Sequence, residues 1–60
     1  MLKENHIVYI QPITLTIDEL VLNQDESLLI LKVTPSEVTF KRLATNTVHT
    51  TPKIAIEIAL

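Results

Sequence analysis

No glycine occurs anywhere in this 60-residue chain. Glycine takes φ > 0 without steric cost and lets a backbone approach a ligand closely. Phosphate-cradling loops, dinucleotide fingerprints, calcium loops and nucleophile elbows all depend on that freedom. None of them can be built here, and most of the chemistries open to a small domain go with them.

Length narrows the choice further. Residues 1–60 make one domain, and a domain this small buries only about 60% of the surface its unfolded chain exposes. With no Cys, disulfides cannot staple it. The only strong zinc ligands are His6 and His49, too few for a closed structural site, so no metal or other cofactor is expected. Yet 47% of the residues are hydrophobic and the mean hydropathy is +0.33. The remaining natural staple is association, so a homo-oligomer, dimer or higher, is expected.

The patterning points to strands. Ser27-Leu28-Leu29-Ile30-Leu31-Lys32-Val33-Thr34 is apolar on both faces if extended. It is bounded by the turn-like Asn23–Glu26 and by Pro35-Ser36, and reads as a strand buried on both sides. Residues 6–17 read as one long strand, broken or bent at Pro12, whose halves can join different sheets. Its first half, Ile7 to Ile10, is again apolar on both faces. Thr16-Ile17-Asp18-Glu19 matches a capping box and predicts a turn or one short helical turn near residues 17–22. The rival there is a turn followed by a strand Leu20-Val21-Leu22.

Thr34-Pro35-Ser36-Glu37 can open a tight turn or a helix, since it too has the form of a capping box with Pro at the first helical position. As a strand, Val38 and Phe40 share a face opposite Thr39 and Lys41; as a helix over residues 35–46 the apolar face is thin. Strand is the preferred reading. Ala44–Thr47 is a polar connection, and Val48-His49-Thr50 offers a short further strand or a turn. Lys53–Leu60 alternates without a fault, with Ile54, Ile56, Ile58 and Leu60 on one side, and reads as a terminal strand.

Ile, Val and Thr together supply 21 of the 60 residues, which with the period-two patterning decides for an all-β class. A five-stranded meander or SH3-like barrel is expected, with α+β and a helix over 35–46 as the alternative.

Charge is segregated along the chain although the net is only −2. Residues 18–26 sum to −4, and residues 32–53 sum to +3. Lys32, Lys41, Arg42, His49 and Lys53 are therefore the candidate nucleic-acid contacts, with Phe40 or Tyr9 as a stacking platform. Alternation sets Lys41 on the face away from Phe40, which makes that joint site awkward, and solvated strand faces explain the same charges. Ile54, Ile56, Ile58 and Leu60 are the candidate interface for a second copy or another protein, by strand addition. Ser27 and Ser36 lie beside turns, with no His and carboxylate at matched spacing, so no catalytic residue is assigned.

The expectation is a non-enzymatic, self-associating protein that binds another macromolecule, a protein in the first reading and nucleic acid in the second. No run approaches the ~18 apolar residues of a membrane span. The first six residues lack a signal-peptide pattern, so a cytoplasmic location without a membrane partner is expected.

Overall fold

The computed structural model describes residues 2–11, 14–17 and 19–60. The central segment forms strand β4 (Ser27–Val33), flanked by β1 (Ile7–Tyr9) and β5 (Glu37–Arg42), and β6 (Thr47–Pro52) completes an antiparallel sheet in the order β1-β4-β5-β6. Between β1 and β4 the chain makes a separate hairpin of β2 (Leu15–Ile17) and β3 (Leu20–Leu22). A short helix α1 (Lys53–Glu57) follows β6 directly.

The sheet has an inner and an outer face, and the apolar alternation sorts residues between them. Leu28, Ile30, Val38 and Phe40 point inward and are fully buried. They meet Ile10, Leu22 of the hairpin, and Ile56 and Ala59 from the C-terminal segment; Leu2, Leu15, Ile17 and Leu20 pack around this cluster. The core is thus one sheet face, lidded by a hairpin and a helix.

A β-bulge divides β4. The register runs Leu28↔Arg42, Leu29↔Lys41, Ile30↔Phe40, then jumps to Lys32↔Thr39 and Val33↔Val38. Leu31 is the extra residue. It lets Leu31 and Lys32 both stay outward while Val33 returns to the core side. The apolar run is consequently not buried on both sides: Leu29 is half-buried and Leu31 is exposed.

The turns show how a chain without glycine bends. Asn5, Asp25 and Asn46 take the left-handed conformation, with φ of 66°, 65° and 59°. Asn and Asp tolerate this region best among residues that carry a Cβ. At the Thr34–Glu37 turn no positive φ is needed. There the Thr34 hydroxyl accepts from the Glu37 N–H at 2.9 Å, and the Thr34 N–H donates to the Glu37 carbonyl at 2.9 Å.

Several expectations are corrected. The all-β class holds, but the described residues form six strands in two sheets, not five in one meander or barrel. The helical turn near residues 17–22 is not formed: Leu20 and Leu22 pair with Ile17 and Leu15 across the hairpin, and burying that alternating face outweighs the local capping signal. Residues 37–42 are strand, as preferred, so the helix over 35–46 is absent. The two halves of segment 6–17 do join different sheets; the bend at Pro12 lies outside the described residues, as does Asp18.

The largest correction concerns the C-terminus, where Lys53–Glu57 is helical. Pro52 leaves the sheet with φ −57° and ψ 133°, and Ala55 favours helix. Ile56 on the helix and Ala59 in the turn that follows it then close the core, while Ile54 and Ile58, four apart, stand in solvent at 70% and 73% exposure. Sealing the inner sheet face outweighs the local alternation.

Candidate functional site

The residues singled out from sequence do not converge. Lys32 and Lys41 lie on the outer face, the first exposed and the second half-buried. Arg42 points inward at the sheet end, where Nε and Nη2 both donate to the Glu26 carboxylate, the latter at 3.0 Å. Glu26 Oε2 also accepts from the Asn23 N–H at 2.8 Å. Both side chains are almost wholly shielded from water, at 15% exposure for Arg42 and 5% for Glu26. The Arg42 hydrogen bond holds the Glu26 carboxyl below the usual glutamate range against the opposing effect of burial, and Glu26 raises Arg42 in return. This guanidinium is already engaged by Glu26.

His49 also faces inward. Its ring lies 5.8 Å from that of Phe40, and its Nε2 is 2.8 Å from the Thr47 hydroxyl. Lys53 begins α1. The five basic positions thus occupy two sheet faces and a helix. Phe40 is sealed in the core, which removes it as a stacking platform; Tyr9 stays half-exposed on the outer face. Of the candidate interface residues, Ile56 is core, whereas Ile54, Ile58 and Leu60 are exposed on the C-terminal segment and form no strand edge.

Two surfaces were not visible from sequence. The first is the outer face itself. Register places Ile7, Leu29, Lys41 and Val48 side by side across all four strands. Tyr9 and Leu31 flank this row on the same side. Ile7, Tyr9 and Val48 are each half-exposed or more, so a largely apolar band crosses the sheet with no described element packed on it. Its signal was present in the two-faced apolar segments 7–10 and 28–31, which read as double burial.

The second is a groove of about 240 Å³ between the hairpin and β6. Ile17, Glu19 and Leu20 form one wall, His49, Thr50 and Thr51 the other, with Pro52 at its end. Thr51 Oγ1 is buried there without a hydrogen-bond partner among the described residues. Its walls come from residues some thirty positions apart, and no local pattern announces it.

Among the described residues, no three His, Cys, Asp or Glu side chains gather where they could hold a metal ion, and no helix is long and apolar enough to cross a membrane. No protein-family model matches the chain, and no curated protein or solved structure is significantly similar to it.

Proposed function

We propose that the protein is a small non-enzymatic binding module that self-associates, with the outer face of the four-stranded sheet as the contact surface. The observation that carries this reading is the unbroken row Ile7–Leu29–Lys41–Val48. A stable interface takes about 800 Å² from each partner. The whole chain exposes 3935 Å², so about a fifth of it must be covered. The outer face, spanning four strands, is the broader of the two exposed apolar surfaces, and the C-terminal ridge carries only Ile54, Ile58 and Leu60. Lys41 does not forbid stacking, because its stem can lie along Leu29 while the ammonium reaches the rim.

Light scattering behind a sizing column tests the reading. The expected mass at tens of micromolar is a multiple of 6.8 kDa, reduced to the monomer by Val48→Lys or Ile7→Lys with the β-type circular dichroism kept. A wild-type mass of 6.8 kDa would falsify self-association.

Binding of single-stranded nucleic acid is a second reading, favoured by one observation: Tyr9, Lys32 and Lys41 share the outer face. With two cations the affinity should fall with salt at a log–log slope of only about −1.4. Fluorescence anisotropy at about 50 and 200 mM salt separates the readings, since apolar association does not weaken over that range.

A further inference from the structure

β6 is the last strand of its sheet, and no strand among the described residues pairs with its outer edge. The Lys53 N–H donates to the Ser36 carbonyl at 2.9 Å, which fixes the hydrogen-bonding parity between β5 and β6. Positions 47, 49, 51 and 53 bond inward to β5, and the N–H and C=O groups of Val48 and Thr50 turn to the free side. Proteins usually blunt such an edge with charge, a bulge or a proline in its middle. Thr47–Pro52 contains no formally charged residue, and its proline comes only at the end.

The free edge borders the groove. At about 240 Å³ the groove falls short of the ~300 Å³ or more that a small-molecule site usually encloses, yet it can take one or two side chains. Its lining supplies apolar surface from Ile17 and Leu20, one formal charge from Glu19, and the unpartnered hydroxyl of Thr51.

We propose that an extended segment of a partner protein adds to β6 as a further strand, bonding to the main chain of Val48 and Thr50. On the side facing the groove, alternate residues of that segment are an apolar side chain against Ile17 and Leu20 and a lysine or arginine against Glu19. The free backbone groups supply affinity, and the groove reads every second side chain. The site lies away from the outer face and stands whether or not that face self-associates.

Selection of random displayed heptapeptides on the full chain tests this. The enriched sequences are expected to alternate, with an apolar and a basic residue two positions apart. A synthetic heptapeptide from that set should protect the Val48 and Thr50 amides from hydrogen exchange. Thr50→Pro removes an N–H that the sheet does not use and should weaken the heptapeptide about tenfold. Glu19→Lys, at an exposed position, should weaken it about fivefold and favour the version with Glu in place of the basic residue. Circular dichroism and melting temperature check that both variants fold. Failure to enrich any heptapeptide would overturn the proposal, as would equal binding by folded Thr50→Pro. So would Val48 and Thr50 protection in the peptide-free protein that rises with concentration, because a second copy would then hold the edge.

Discussion

Removing the Glu26 carboxylate should be among the most damaging single changes to this chain. Glu26→Ala leaves the Arg42 guanidinium, itself largely shielded, without its counter-ion, and strips the Asn23 N–H of its acceptor. Breaking a fully buried pair from one side costs about 3–5 kcal/mol, and this partly buried pair should lose about 1–3 kcal/mol. A 60-residue domain has about 3–9 kcal/mol of stability in all, so Glu26→Ala should lose a substantial share of it at 25 °C. The cost belongs to the stranded charge, which gives a clean control. Glu26→Leu combined with Arg42→Met removes both charges and keeps the apolar bulk, and should recover most of the loss.

Urea unfolding followed by circular dichroism at pH 7 measures all three proteins. Because the folded Glu26 titrates below its unfolded value, its contribution is fully present above the ordinary value of 4.5 and is lost as pH falls through the lowered folded value. Wild-type stability should therefore decline more steeply below about pH 4.5 than that of the double variant. A Glu26→Ala protein within about 0.5 kcal/mol of wild type, or a double variant no better than the single one, would refute the reasoning.

Three further outcomes follow from the packing. Ile56→Ala should cost about 2–5 kcal/mol in urea unfolding while Ile54→Ala changes stability by under about 0.5 kcal/mol, a contrast that a strand with both residues on one face would not produce. Thr51→Val should raise the melting temperature, since an unpartnered buried hydroxyl costs about 1–3 kcal/mol and valine keeps its shape; a lowered melting temperature would mean the hydroxyl is bonded. Asn46→Ala should lose about 1 kcal/mol to the left-handed backbone and Asn46→Gly almost nothing, measured by the same melts, and equal losses would remove φ as the cause.

Much of the sheet was legible because it is written in local alternation. Val38 and Phe40 against Thr39 and Lys41 identified β5, and the Pro35-Ser36 break located its turn. Composition decided the class. What failed were places where tertiary need overrode the local pattern. Lys53–Leu60 alternates as a strand should, but the open inner face over Val38 and Phe40 draws in Ile56 from a short helix and Ala59 from the turn after it. Thr16–Glu19 carries a helix-start signal that the Leu15–Leu22 and Ile17–Leu20 pairs outweigh.

The candidate sites were less legible still. Charge counted along the chain cannot show that Arg42 is already engaged by Glu26, sixteen residues away. Nor can apolarity on both sides of a strand distinguish two buried faces from one buried and one open. The bulge at Leu31 and the unlidded outer face are properties of the assembled sheet.

The insertion of the β2–β3 hairpin between β1 and β4 also has a consequence in time. β4, β5 and β6 are joined by connections of three and four residues, 34–36 and 43–46, so they can zip together locally. β1 must instead find β4 across the 17 residues 10–26, about two doublings of loop length and roughly 1.2 kcal/mol more in closure entropy. With three paired residues to repay that cost, β1 is the strand to arrive last and to detach first. Ile7 and Tyr9 travel with it, and so does Val8, which packs on the core beside buried Ile10, so each brief opening loosens the outer apolar band and the core together.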